Sequence, residues 1–219
     1  MTGILALWND CAPEAAAEYE RWYAREHLPE RVGLPGFRFG RRYEALRADR
    51  QFFTFYEVDG PEVLLSPAYL ERLRNPTPWT RAIMPSFRGM SRTVCDLAAS
   101  AGAGLGAHAV TLRVEGGMAP RPDAAAAIAA LSEQEGVARV QLWRRAARQT
   151  PSDTPEMTSR GRPDTLIAGA LVIECLRRAD AERQAAALEA QGPPAALGVT
   201  GPVSLGVYAL LCIRTAERP

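Results

Sequence analysis

The chain has 219 residues and a mass of 23.8 kDa, enough for one large domain or two small ones that each bury a core. Its 26 basic and 25 acidic side chains nearly cancel, which excludes the basic excess of a nucleic-acid binder. Hydrophobic residues at 47% and charged residues at 23% describe a globular protein, and no run approaches the roughly 18 apolar residues of a membrane span.

The segment "GILALW" (3–8) reads as a strand, and "CAPEAAAEYERWYAREHLPE" (11–30) follows with helical spacing, a proline in its first turn and Pro29 as its stop. "GFRFGRRYEA" (36–45) and "QFFTFYEV" (51–58) read as a strand hairpin, "GPEVLLSPAYLERLRN" (60–75) as a helix, "PTPWTRAIMPSFRG" (76–89) as an irregular passage and "MSRTVCDL" (90–97) as a strand. The small residues of "AASAGAGLGA" (98–107) predict a linker. The order then begins again: strand 108–116, helix 121–136, strands 137–146 and 164–176 around a longer loop, helix 180–192 and strand 203–215. Gly36 and Gly136 stand at matching places, each opening a strand that contains paired arginines, Arg41-Arg42 and Arg144-Arg145. The pattern β-α-β-β-α-β occurs twice, as in an internal duplication, with an N-terminal unit at 1–97, a linker at 98–107 and a C-terminal unit at 108–219.

A β-α-β-β-α-β unit makes a four-stranded antiparallel sheet with both helices on one face, the ferredoxin-like arrangement, and the bare face has to be covered. Two such units in one chain cover each other and predict an α+β fold, an eight-stranded α/β barrel, with room for a small ligand inside the barrel or between sheet and helices. Monomer and homodimer both remain open.

The first helix carries the clearest candidate site. At 100° per residue, Ala15, Ala16, Tyr19, Trp22, Tyr23, Glu26 and His27 fall within about 140° of one another, opposite Glu18, Arg21 and Arg25. Aromatic stripes at this spacing usually pack on a sheet, and a histidine at a helix end can simply cap it. His27 nevertheless sits on the inward face beside Glu26, with an unperturbed pKa near 6.5 suited to proton transfer. The corresponding helix of the second half, "DAAAAIAALSEQ", has no histidine and no aromatic residue, so the second unit reads as scaffold.

The stretch "WYAREHLPERVGLPGFRFGRRYEA", with "FFTFYEV" and "PTPWTRAIMPSFRG", resembles the EthD-like branch of the dimeric α/β-barrel superfamily, in which a helix ending in His-Leu-Pro or His-Ala-Pro runs through a Pro-Gly turn into the second strand. The similarity covers residues 1–97; the second half is similar only in its element order. The resemblance implies a ferredoxin-like fold, pairing of two units into a barrel, and His27 as the family's histidine. Relatives include cofactor-free monooxygenases and cyclases, lyases, haem enzymes and members without known activity, so the resemblance leaves the reaction open.

Other polar candidates are weaker. Arg38 and Arg42 share one strand face and Arg41 the other, where one of them can meet an anionic group. Tyr56 alternates with Phe52 and Thr54 as core or as a phenol donor, and Trp79, Thr80 and Arg81 lie in a passage able to cover a cleft. His108 opens a strand after the linker and reads as surface. Cys11, Cys95, Cys175 and Cys212 form no CxxC, and no glycine-rich phosphate loop, GxSxG elbow or helical histidine pair is present. No metal and no cofactor is expected, although a single histidine would suffice as an axial haem ligand. No charged leader precedes an apolar stretch, which predicts a cytoplasmic protein. Two functions follow. The first is a cofactor-independent enzyme (lyase, isomerase/cyclase or monooxygenase type) acting on a small hydrophobic, aromatic or polyketide-like molecule, with His27 as general acid/base and Trp22, Tyr23, Glu26, Arg38, Tyr56 and Trp79 as binding residues. The second is a non-catalytic protein of the same fold that binds such a ligand. Neither involves nucleic acid or membrane.

Overall fold

The structure, a computed structural model, describes residues 2–217. Strand β1 (Gly3–Cys11) turns Leu5 and Leu7 to one side and Ile4, Ala6 and Trp8 to the other, all of them buried. A strand covered on both faces needs a continuous apolar run, which "GILALW" supplies. A 3-10 turn at Pro13–Ala15 leads into α1 (Ala16–Trp22), a π-helical turn (Tyr23–His27) and α2 (Leu28–Val32). Gly36, at φ 85°, then reverses the chain in a conformation that side-chain-bearing residues avoid. Strands β2 (Phe37–Arg47) and β3 (Phe52–Val58) form the hairpin. Helices α3 (Pro67–Arg74) and α4 (Pro78–Ile83) each open on a proline and a hydroxyl cap, Ser66 accepting from the Tyr69 amide and Thr77 from that of Thr80. Strand β4 (Phe87–Ala101) ends the first half.

The second half runs β5 (His108–Val114), β6 (Gly117–Met118), α5 (Ala124–Ser132), β7 (Val137–Arg145), α6 (Pro155–Thr158), β8 (Gly169–Cys175), α7 (Arg178–Gln191), β9 (Val199–Thr200) and β10 (Val203–Thr215). Strands β6 and β9 pair separately. The other eight close into an antiparallel barrel in the order β1-β3-β2-β10-β5-β8-β7-β4. Each half contributes a sheet of the same order, β4-β1-β3-β2 and β10-β5-β8-β7, and the seams are β2–β10 and β4–β7.

The barrel is full. Trp8, Tyr43, Phe53, Phe55, Trp143 and Tyr208 pack against one another inside it, with Trp8 stacked on Phe53 at 4.9 Å. A buried Arg41–Glu174 pair and an Arg139–Glu57 pair at 3.3 Å lie towards one end, and Arg113 meets Asp49 at 2.6 Å towards the other. Of the two ligand locations the sequence allows, the layer between sheet and helices holds the cavity that reaches His27.

Three local expectations are corrected. Residues 98–101, expected in the linker, extend β4 and pair with β7, so the irregular connection begins at Gly102. Residues 78–83 of the passage read as irregular are helical. Pro29 does not stop the first helix: it is the second residue of α2, directly after the π turn. A proline inside an α-helix clashes with the carbonyl four residues back. The wider turn, in which the Leu28 amide bonds the Tyr23 carbonyl, relieves that clash and lets the rod continue to Val32.

Candidate functional site

The π turn places His27 within the helical rod rather than at its end. Its ring lies 4.3 Å from that of Trp22 and 5.1 Å from that of Tyr23, and the residue is 6% exposed. Among the described residues Nδ1 is buried with no hydrogen-bond partner. Burial holds the imidazole pKa well below its usual value, and the guanidiniums of Arg31, Arg160, Arg42 and Arg92 push it the same way. Both causes favour the neutral imidazole over the imidazolium.

Beside it lies a cavity of only about 10 Å³, roughly the space of one water. Leu5, Leu7, Met84, Phe87 and Met90 form its apolar walls; Tyr23, His27, Arg31, Tyr56, Tyr69, Arg92, Glu156 and Arg160 form its polar ones. Arg31 and Glu156 make an ion pair in which both side chains are buried. Burial penalises the Arg31 charge, and Glu156, Tyr69 and Glu30 more than offset this, raising its pKa. Arg160 meets Asp164 at 2.6 Å and lies 3.9 Å from Glu156. Arg92 donates to the Tyr69 hydroxyl at 2.7 Å and to Thr150 Oγ1 at 3.2 Å. The Tyr56 hydroxyl has no partner among the described residues, and burial pushes its pKa well above the usual value. Three guanidiniums facing a neutral imidazole can bind an anion and stabilise negative charge formed when the imidazole takes a proton.

Of the residues singled out in the sequence, Tyr23, Tyr56 and His27 meet at this cavity. Trp22 stacks behind His27 and donates to Glu26 Oε1 at 3.1 Å and Thr80 Oγ1 at 3.2 Å. Glu26 does not engage His27: it accepts from Thr77 Oγ1 at 2.6 Å and Thr80 Oγ1 at 3.1 Å, fastening the π turn to α4. Trp79 donates to Glu18 at 2.8 Å on the flank of α1. Arg38 lies elsewhere. The register shift between Phe37 and Phe39 takes it off the face of Arg42, and it pairs with Asp59 at 2.8 Å and Glu57 at 3.3 Å. Arg42 is buried against Tyr23 and Phe52, its guanidinium 4.0 Å from each ring, while Arg41 points into the barrel.

Sequence reasoning missed Arg31, Tyr69, Arg92, Glu156 and Arg160. Arg31 has a signal, since it stands four residues after His27 on the same helical face once the rod is known to continue. Glu156 and Arg160 come from the long loop of the second half, which therefore closes the first half's site. The lining does not suit a haem: the wall facing His27 carries Arg31, Arg92, Arg160 and Glu156 rather than the apolar faces of a macrocycle slot. Among the described residues no group of three or more His, Cys, Asp or Glu side chains is placed to hold a metal.

The molecule is thus an α+β protein with a closed antiparallel barrel and a histidine- and arginine-lined cavity outside it. No family model and no curated protein matches the chain. Solved structures do. An anthrone oxidase-like protein superimposes with a TM-score of 0.63 at 12% identity, covering 99% of this chain and 94% of its own. A monooxygenase-like protein of Lactobacillus acidophilus gives 0.53 at 7% identity, over 99% and 97%. One of Fusobacterium nucleatum gives 0.52 at 10%, over 98% and 94%. The chain shares its fold with these structures, and both halves of its barrel lie in one polypeptide.

Proposed function

We propose that the protein is a cofactor-independent oxidase or monooxygenase acting on a small aromatic or polyketide-like molecule, with His27 as general base. The observation that carries this reading is the neutral, buried imidazole at a cavity ringed by Arg31, Arg92 and Arg160. His27 takes a proton from an acidic C–H or phenolic O–H of the substrate. The resulting carbanion or phenolate, stabilised by the guanidiniums, is electron-rich enough to pass electrons to dioxygen without a cofactor. The net change that balances is CH₂ + O₂ → C=O + H₂O, with dioxygen as co-substrate and both substrate hydrogens, including the one His27 takes, ending in the water formed. Tyr23 and Phe87 supply aromatic walls. The anthrone oxidase-like and monooxygenase-like neighbours support this choice over lyase and isomerase chemistry.

The test is oxygen uptake with a panel of phenolic anthrones and naphthols in air. The wild type is expected to consume one dioxygen per carbonyl formed, and His27→Gln to slow turnover by roughly 10²- to 10⁴-fold, the usual worth of a positioned base. Binding of these compounds with no oxygen uptake would show a ligand-binding protein instead.

A further inference from the structure

We infer that Glu156 occupies, on Arg31, the place of a ligand carboxylate, and that the cavity admits a small aromatic acid whose carboxylate displaces Glu156 and releases the 151–164 segment. This rests on the reading that the His27 cavity is where substrate binds.

A space of about 10 Å³ cannot hold an aromatic ring, so binding requires one wall to leave. Most of the wall is fixed. Leu5, Leu7, Tyr56, Met90 and Arg92 stand on barrel strands, and Tyr23, His27 and Arg31 belong to the helical rod. Segment 151–164 is different. It is pinned on one side, where Gln149 Oε1 accepts from the Val94 amide at 2.8 Å, and on the other, where the Thr165 amide donates to the Met90 carbonyl at 2.9 Å. Between these anchors its backbone hydrogen bonds, among the described residues, stay within the segment, such as Thr158 to Thr154 and Gly161 to Thr158. What holds it inward is the buried Glu156–Arg31 pair, with Met157 in the core and Arg160 over Phe87 at 5.5 Å.

The charges explain why a carboxylate should release it. The cavity wall carries three guanidiniums and one carboxylate. Arg92 donates only to hydroxyls, and Arg31 Nη1 and Arg160 Nε are buried without hydrogen-bond partners among the described residues. Removing Glu156 alone leaves the buried Arg31 charge with only Glu30, at 3.6 Å, as its carboxylate, which is unfavourable. Exchanging it for another carboxylate is not, because guanidinium–carboxylate geometry is reproduced by the newcomer. The same segment lines an open cleft of about 340 Å³ through Ser152, Thr158, Gly161 and Arg162, so a ligand has a place to dock before the exchange.

The experiment compares 1-naphthoate with its neutral isostere 1-naphthamide, by calorimetry on the full chain. In the wild type the acid is expected to bind and the amide to bind at least tenfold more weakly. In Glu156→Gln, which removes the competing carboxylate, the acid should tighten by at least tenfold and the amide should not change. The double variant Glu156→Gln/Arg31→Gln, which leaves no orphaned charge at the pair, should lose the preference for the acid. Equal binding of acid and amide by the wild type, or no tightening in Glu156→Gln, overturns the proposal. Should Glu156→Gln not fold, trypsin cleavage of the wild type after the buried Arg160 decides: acceleration by 1-naphthoate and not by 1-naphthamide supports release of the segment, and no acceleration overturns it. The readouts are binding and cleavage without turnover, so failure here leaves the proton-transfer reading of His27 standing, and failure of that reading leaves this one standing.

Discussion

The two helix–sheet layers of this molecule solve the same packing problem with different materials. In the second layer Val110, Leu112, Ile128, Val140, Leu142, Leu171, Ile173, Ala181, Ala185 and Val207 are buried together, a largely aliphatic filling beneath alanine-rich helices, with Asp180 and Gln184 of α7 the buried polar side chains beside it. In the first, an equivalent sheet presents Tyr56 to Tyr19, Trp22, Tyr23 and Tyr69 of the helices that cover it, and His27, Arg31 and Arg92 are buried with them. Aliphatic packing suffices to hold a helix on a sheet. Buried guanidiniums and an unpartnered imidazole carry desolvation costs that packing does not require. Aliphatic packing is the rule in the second layer; the buried polar groups of the first are the ones that the proposed function would use.

This contrast can be broken or sharpened by matched substitutions. The largest expected effect is on turnover: His27→Gln lowers it by roughly 10²- to 10⁴-fold, whereas Ile128→Val, at an equally buried place in the second layer, leaves it unchanged. Steady-state rates on any substrate of the oxygen-uptake panel check the pair, and an equal loss in both variants would erase the distinction. Stability comes next. Trp22→Ala should cost about 3 to 5 kcal/mol and Leu171→Ala about 2 to 5 kcal/mol, but only the first should also weaken ligand binding, because Trp22 backs His27. Chemical denaturation alongside calorimetry separates the two. The smallest effect is in pH. The folded-state pKa of His27 is depressed, so the unfolded chain takes up the proton first. The associated stability is complete above about pH 6.5 and falls as pH drops below it, by at most about 1.4 kcal/mol per pH unit. Melting curves between about pH 7 and pH 5 should decline more steeply for the wild type than for His27→Gln, and parallel curves would show that the ring is not held neutral.

The barrel is legible in the sequence because strands buried on both faces must be continuous apolar runs, as in "GILALW" and "FFTFYEV", and because the element order repeats. His27, Tyr23 and Tyr56 are legible from helical and strand periodicity. Arg38 is misplaced by the same rule, since a one-residue bulge reverses alternation and leaves no signature in composition. Arg31 is hidden by the ordinary meaning of proline, a helix stop, which the π turn cancels. Glu156 reaches Arg31 across a separation of 125 residues. No local pattern encodes such a contact; it exists only once the barrel has closed and brought the long loop over the other half.

The π turn also makes the site sensitive to chain length. Five residues there do the work that an α-helix does with fewer, so the rod carries one residue beyond a regular count, stored in its hydrogen-bond ladder and not in a loop. Ala24 and Arg25 are exposed, and nothing in the core would miss either side chain. Deleting one of them would let the turn relax to α geometry with little rotation of the two parts of the rod, because the wide turn absorbs the extra residue. Pro29 would then meet the carbonyl it now avoids, and the rod would have to kink or end before Arg31. Along most of the surface, gaining or losing one residue is a minor edit. In this helix, it decides whether the chain can run through Pro29 to Arg31 as one rod.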